Sequence, residues 1–80
     1  MSDSPSIDLE LDLRGLKCPM PMVRVSQSIT SVPVGGYLRA IGDDPGCEAD
    51  IPAWARLTGN EVPDIQHDGK DIILLVKRVV

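Results

Sequence analysis

The stretch "IDLELDLRGLKCPMPMVRVSQSI", residues 7 to 29, changes its hydrophobic period halfway along, and this change decides the fold. From Ile7 to Leu13, apolar residues alternate with acidic ones, a period of two that predicts a half-buried strand. Gly15 breaks the alternation. Apolar residues then recur at helical spacing, at Met22, Val25, Ile29 and Val32. Because proline is tolerated in a first helical turn, we predict that an α-helix starts at the two prolines, with Cys18 at or just before its N-cap.

The next segment repeats the change from strand to helix. "PVGG" (33–36) is expected to end the first helix, and "YLRAIG" (37–42) reads as a second strand. "DDPG" then opens a second helical region, with Asp44 as a candidate cap and Asp50 as a second helix start. Gly59 follows the last helical residue and is expected at the C-terminal cap.

The last twenty residues predict a β-hairpin. "EVPDIQ" (61–66) and "DIILLVKRVV" (71–80) flank "HDGK", which contains an Asp-Gly turn. Pro63 cannot donate a ladder hydrogen bond, so its strand is expected at an edge of the sheet. The continuous apolar run from Ile72 to Val76 favours a central strand whose second face is also partly covered, for example by a partner.

The predicted element order is therefore βαβαββ. Two strand–helix units favour a right-handed crossover between parallel first and second strands, and the hairpin adds antiparallel strands. We expect an α+β fold, a two-layer α/β sandwich with a four-stranded mixed sheet and two helices on one face. One domain is expected over residues 8–80, preceded by a flexible leader at residues 1–7.

The composition excludes several classes of protein. The hydrophobic fraction of 42% and the charged fraction of 25% are typical of a globular chain, and no apolar run is long enough to span a membrane. A net charge of −4 argues against direct binding to nucleic acid. The opening residues lack the pattern of a secretory signal, so we expect a cytoplasmic protein. Two cysteines are too few for a disulfide scaffold and do not have zinc-site spacing, so no metal is expected.

Charge is segregated into two segments of the chain. Residues 14–24 carry bases and no acid, namely Arg14, Lys17 and Arg24. Residues 43–50 carry acids and no base, namely Asp43, Asp44, Glu48 and Asp50. The acidic segment is either a set of solvated helix-capping residues or a surface that discriminates among partners. Such segregation is a first indication of a site.

Cys18 is the candidate reactive residue of the basic segment. A helix N-terminus offers unpaired N–H groups and the positive end of the helix dipole, and Lys17 and Arg14 add positive charge. We therefore expect a lowered pKa for the Cys18 thiol. Pro19 and Pro21 make the loop rigid and leave the amides of Met20, Met22 and Val23 as donors. The alternative is a small buried cysteine that packs between strand and helix.

The residues near Cys18 in the sequence limit the reactions that its thiol could carry out. A dithiol motif needs a second cysteine at position 21, which is Pro21. A histidine base could come only from His67, which we interpret as a turn residue. The remaining possibility is a single cysteine that accepts a group covalently and passes it on, and a persulfide suits this role.

Two motifs resemble the TusA/SirA/YedF family of small sulfur carriers. They are "LDLRGLKCPMP" (11–21) and "GDDPGCEADIPAWARLTGNE" (42–61). The resemblance implies the two-layer sandwich reached above. It also implies a sulfurtransferase-type carrier rather than an enzyme with independent turnover, in which the motif cysteine receives persulfide sulfur from a cysteine desulfurase or a rhodanese. Such carriers relay it to an acceptor protein, as in tRNA 2-thiouridine synthesis or sulfur oxidation.

The resemblance also implies roles for particular residues. Cys18 is the persulfide site, with no other cofactor. The resemblance implies that Pro19 and Pro21 shape its loop, and the local sequence adds Arg14, Gly15 and Lys17 as residues that shape or activate the site. The second motif contributes Asp43 or Asp44, Pro45, Asp50 and Trp54, which we interpret as a core or rim residue. Met20 is a candidate partner contact, whereas Met22 is expected to pack in the core.

The chain departs from the family pattern at two positions. Asn60 follows Gly59 where many relatives have a histidine, so any role of that imidazole is absent. Cys47 lies outside the pattern, and we interpret it as a tolerated small loop residue. Because both cysteines follow parallel strands, they are expected at one edge of the domain, and Cys47 is alternatively a resolving thiol that reacts with Cys18.

Two other functions stay open at this point. One is a non-catalytic interaction or regulatory module in which Cys18 is structural. The other is direct nucleic-acid binding, which the net charge and the presence of only two aromatic residues, Tyr37 and Trp54, disfavour. The sequence does not identify the sulfur donor, the acceptor or the oligomeric state, although a small carrier with several partners is expected to work as a monomer.

Overall fold

The computed structural model describes residues 6–80. Residues 1–5 of the expected leader lie outside the described residues. The elements are β1 (Leu9–Asp12), α1 (Met20–Ser28), a 3-10 turn (Ile29–Ser31), β2 (Tyr37–Gly42), α2 (Cys47–Thr58), β3 (Glu61–Asp68) and β4 (Asp71–Lys77). This is the predicted βαβαββ order.

The four strands form one mixed sheet in the order β1-β2-β4-β3. β1 and β2 are parallel, with Leu9 opposite Leu38, and β4 is antiparallel to both β2 and β3. The predictions of a central β4 and of an edge strand with Pro63 are therefore confirmed. The register between β3 and β4 shifts between Glu61 and Asp64, which brackets Pro63, as expected where a residue cannot donate to the ladder.

The core lies between the sheet and the two helices. In β2 and β4 every second residue is buried, so only one face of the sheet is fully packed. Buried side chains of the two helices pack against this face of the sheet and complete the hydrophobic core. The buried apolar residues are Leu13, Val25, Ile29, Val32, Leu38, Ala40, Cys47, Ile51, Ala55, Ile72, Leu74 and Val76. The two-layer α+β fold is confirmed.

The opposite face of the sheet has a half-buried apolar centre. Ile41 lies opposite Ile73, and Arg39 lies opposite Leu75. Arg39 also forms an ion pair with Glu10 at 3.2 Å. Side chains from neighbouring strands thus shield one another in part on this face. That a partner protein also covers the face stays a prediction.

The start of α2 differs from the sequence prediction. A single helix runs from Cys47 to Thr58 without a second start at Asp50, and Gly46 rather than Asp44 is its N-cap. Pro52 fits inside this helix because the carbonyl that it deprives of a donor, that of Glu48, belongs to the exposed first turn. The predicted end is confirmed, since Gly59 has a left-handed backbone with φ of 84°.

Candidate functional site

Cys18 is an exposed residue in the segment that joins β1 to α1. It lies just before Pro19, the N-cap of α1, as predicted, and the peptide bond between the two residues is cis. Pro21 occupies the first turn of the helix and is buried. Pro21 therefore anchors the start of α1 in the core, while Pro19 and the Cys18 thiol stay on the surface.

Two carboxylates of the acidic segment hold the segment that carries Cys18. Asp44 Oδ2 accepts a hydrogen bond from the Cys18 amide at 2.8 Å. Asp43 Oδ1 accepts one from the Gly15 amide at 3.0 Å. These contacts arise because β1 and β2 are parallel neighbours, so the loops that follow them meet at the same edge of the sheet. The acidic segment after β2 thus positions the segment that carries Cys18.

Asp44 is fixed by two amides at once. Besides the Cys18 amide, the Gly46 amide donates to its Oδ1 at 3.2 Å. Both hydrogen bonds, with a smaller effect of the charge on Lys17, lower the pKa of Asp44. Asp44 is thus a persistent negative charge beside Cys18.

The thiol itself contacts a third carboxylate. Cys18 Sγ donates to Asp50 Oδ2 at 2.5 Å, and Asp50 belongs to the first turn of α2. This hydrogen bond raises the pKa of the Cys18 thiol, and the loss of hydration and the negative charges of Asp50 and Asp44 raise it further. The prediction of a lowered Cys18 pKa is therefore wrong.

Two of the three amides that were expected to stabilise the Cys18 thiolate donate to backbone carbonyls instead. The Met20 amide donates to the Lys17 carbonyl at 2.8 Å, and the Val23 amide donates to the Pro19 carbonyl at 3.1 Å. The amide of Met22, the third expected donor, has no acceptor among residues 6–80.

The charge of Arg14 is directed away from Cys18. Its guanidinium binds Asp12 at 2.9 Å and lies 3.6 Å from Asp71. The hydrogen bonds from Arg14 lower the pKa of Asp12 to about 2, and the same pair raises the pKa of Arg14. Lys17 is exposed, and its charge acts on Asp44. The carboxylates therefore dominate the electrostatics of the thiol.

Cys47 is a core residue and not the loop residue that we expected. It is the first residue of α2, is 1% exposed and has a free thiol. Burial raises the pKa of this thiol. Gly42 leaves the space for the sulfur, since a Cβ on Gly42 would lie 2.8 Å from Cys47 Sγ. A Cβ on Gly46 would lie 3.4 Å from the Cβ of Cys18, so both cysteines lie at the same edge, as predicted.

The other predicted residues occupy different positions around the loop. Met20 is 43% exposed beside Cys18, which fits a surface contact. Met22 and Trp54 are partly buried and pack against the core. Pro45 is exposed, and its carbonyl accepts a hydrogen bond from the Glu48 amide at 3.2 Å.

Two residues have contacts that the sequence did not indicate. His67 belongs to β3 and not to the turn, and its Nε2 lies 3.0 Å from Glu48 Oε1. Asn60 is buried, and its Oδ1 accepts a hydrogen bond from the Val79 amide at 2.9 Å. Asn60 thus ties the residues after β4 to the end of α2.

The described part of the chain contains no cluster of three or more side chains suited to binding a metal ion. No helix within residues 6–80 is long and apolar enough to cross a membrane.

Comparison with known proteins gives consistent similarities. The family model described as "Sulfurtransferase TusA" matches residues 9–78. The chain is 37% identical over 71 residues to "Sulfur carrier protein TusA" of Allochromatium vinosum, covering 89% of this chain and 93% of that protein. It is 31% identical over 71 residues to a protein of the same name from Pseudomonas putida, covering 89% of each. It is also 41% identical over 71 residues to "Putative sulfur carrier protein" of Aquifex aeolicus, covering 88% of this chain and 36% of that protein.

Proposed function

The chain belongs to the TusA sulfurtransferase family, and from this premise we propose that it is a sulfur carrier whose Cys18 holds the sulfur as a persulfide. The observation that carries the proposal is the contrast between the two thiols. Cys18 is exposed at a loop that is fixed by carboxylates, whereas Cys47 is buried in the core. Only an exposed sulfur can meet a donor protein and an acceptor protein in turn without local unfolding.

Both halves of the relay are exchanges of one sulfur–sulfur bond. In loading, the Cys18 thiol first loses its proton to solvent and then attacks, as the thiolate, the terminal sulfur of a persulfide on the donor. A bond forms from Cys18 Sγ to that sulfur, the donor's S–S bond breaks, and the donor cysteine takes the electron pair and a proton. In delivery, an acceptor thiolate attacks the terminal sulfur on Cys18, and Cys18 Sγ leaves with the electron pair and regains a proton. No net oxidant or reductant is consumed.

The partners follow from this chemistry. The donor is a protein that forms a cysteine persulfide, such as a cysteine desulfurase or a rhodanese. The acceptor is a protein thiol that feeds either tRNA thiolation or an enzyme of sulfur oxidation. We expect the relay to operate in the cytoplasm with the carrier as a monomer. The position of Met20, exposed beside Cys18, makes it the first residue to test as a docking contact.

The alternative of a purely structural Cys18 has less support. A structural cysteine is expected in the core, which is where Cys47 lies and Cys18 does not. An interaction module would bind its partner equally well after Cys18→Ala, and a pull-down with that variant distinguishes the two functions.

A loading and chase experiment tests the carrier function. The full chain is incubated with a cysteine desulfurase and cysteine, or with a rhodanese and thiosulfate, and then separated from the donor. We expect a gain of one sulfur atom in its intact mass, and the loss of that mass when a small thiol such as dithiothreitol is added, with release of sulfide. A chain whose exposed thiol was first alkylated is the control and is expected to gain nothing. If inorganic polysulfide also fails to load the untreated chain, the proposal is wrong.

A further inference from the structure

We propose that Asp50 holds the proton on the Cys18 thiol and, after loading, disfavours ionisation of the terminal sulfur of the persulfide, so that the resting thiol and the persulfide are both kept neutral. This inference rests on the proposed function and assigns a role to a residue of α2 within it. Asp50 contacts the reacting atom directly, since its Oδ2 accepts the hydrogen bond from Cys18 Sγ.

The position of Asp50 is fixed by its helix. Its amide donates to the Gly46 carbonyl at 2.9 Å, and the next residue, Ile51, is fully buried in the core. The carboxylate therefore stays at the thiol while the Cys18 segment is held by Asp44. Both Asp44 oxygens already accept amide hydrogen bonds, so Asp50 is the carboxylate that receives the S–H.

Charged and titratable groups lie near Cys18 in its own segment, in the loop after β2 and in α2. Lys17 precedes it in its own segment, Asp44 faces it from the loop after β2, and Asp50 and Cys47 face it from α2. Two carboxylates against one exposed lysine disfavour an anion at this position. The direction found for the pKa of the Cys18 thiol agrees with this geometry.

The negative charges of Asp44 and Asp50 also act on the persulfide. A persulfide extends Cys18 by one S–S bond of about 2.0 Å, so its terminal sulfur stays close to both carboxylates. A neutral persulfide is an electrophile at its terminal sulfur, whereas a persulfide anion repels an incoming thiolate. By disfavouring the anion, Asp50 keeps the carried sulfur in the form that an acceptor thiolate can attack.

The proton balance of delivery is closed. The acceptor thiol loses its proton to solvent and attacks as the thiolate. The terminal sulfur moves to the acceptor with its own hydrogen, and Cys18 Sγ leaves with the electron pair. Cys18 then takes one proton from solvent, which restores the S–H hydrogen bond to Asp50.

The test compares two rates in Asp50→Asn, which keeps the shape and removes the charge. In the unloaded chain, the thiolate is the form that reacts with iodoacetamide. Removal of the negative charge lowers the pKa of the thiol, so we expect severalfold faster alkylation of Cys18 at neutral pH and a pH profile shifted to lower pH. A change confined to local packing would not shift this profile.

In the loaded chain, Asp50→Asn is expected to lower the rate of sulfur delivery, whereas in the unloaded chain it raises the rate of alkylation. The persulfide ionises at lower pH, so the decline of its delivery to dithiothreitol also starts at lower pH. At neutral pH delivery is expected to fall severalfold relative to the unsubstituted chain. A better leaving thiolate offsets only part of this loss, because leaving-group effects on such exchanges are fractional. Each rate is taken as a ratio at equal pH, which cancels the ionisation of the acceptor.

The control is Glu48→Gln, which removes one carboxylate from the same helical turn but contacts His67 and not Cys18. Its two pH profiles are expected to match those of the unsubstituted chain. An Asp50→Asn profile that coincides with that of the unsubstituted chain, or a delivery rate that rises along with alkylation, would overturn the proposal.

A second measurement needs no variant. Alkylation of Cys18 is followed against pH in the native chain and in the chain unfolded in urea. The native profile is expected at higher pH, and a native profile at equal or lower pH overturns the proposal. Neither alkylation measurement requires loading, so a chain that cannot be loaded refutes the carrier function while the role of Asp50 in the thiol is still decided.

Discussion

Replacement of Cys18 by serine is expected to abolish sulfur loading and leave the fold intact. Serine removes the nucleophile that forms the persulfide bond, and a hydroxyl does not replace a thiolate in exchange at sulfur. The fold is retained because the side chain is exposed and the segment is held through the Cys18 amide, which the substitution keeps. Intact mass after incubation with the desulfurase gives the loaded fraction, and circular dichroism gives the fold.

The matched control is Cys47→Ala, which removes the chain's other thiol. This variant is expected to load as the unsubstituted chain does, although it loses some stability because a core sulfur is removed. Loading of Cys18→Ser together with failure of Cys47→Ala would instead make Cys47 the carrier, and the two thiols would have exchanged roles. Loss of loading in both variants would indicate that the buried thiol takes part in the relay, as the alternative of a resolving thiol requires.

Replacement of Leu74 by alanine is expected to lower the free energy of unfolding by about 2–5 kcal/mol. Leu74 is fully buried in the central strand, between Ala40 of β2 and Ile65 of β3. The substitution removes core volume where strands on both sides restrict collapse of the cavity. A domain of this size has a free energy of unfolding near the lower end of about 5–15 kcal/mol, so the substitution removes a large part of the domain's stability. Urea denaturation measures the change.

The neighbouring residue provides the control for this substitution. Leu75 has the same side chain and the same strand but faces the half-buried side of the sheet. Leu75→Ala is expected to cost about 1 kcal/mol, because only part of that side chain is removed from water. An equal cost at both positions would contradict the description of one packed face. If the cost at Leu75 also depended on protein concentration, a second copy would cover that face.

The fold could be predicted from the sequence because the spacing of its apolar residues is regular within each element. The alternation before Leu13 and the helical spacing after Cys18 each allow one type of element, and the run from Ile72 to Val76 has the composition of a central strand. The start of α2 was harder to predict. Asp44 has the composition of a helix cap, but its two oxygens are used by the amides of Cys18 and Gly46. Local capping rules cannot anticipate a partner that is 26 residues away.

The candidate site was predicted in its position but not in its electrostatics. The lone cysteine before two prolines correctly indicated a thiol at a helix start. The neighbouring bases suggested an activated thiolate, yet Arg14 is paired with Asp12, and three acids from the second segment reach the loop of Cys18. The segregation of charge along the chain was the available signal. Only the parallel pairing of β1 with β2 shows that the two segments meet.

The most direct test of the central claim is to locate the carried sulfur in the unsubstituted chain. Trypsin separates the two cysteines, because cleavage after Lys17 and Arg24 leaves Cys18 on the peptide 18–24, and cleavage after Arg39 and Arg56 leaves Cys47 on the peptide 40–56. The loaded chain is alkylated, digested and analysed by mass spectrometry. We predict that the additional sulfur atom is on peptide 18–24 and disappears from it after a chase with acceptor thiol. Additional sulfur on peptide 40–56 alone, or on neither peptide, would contradict the account.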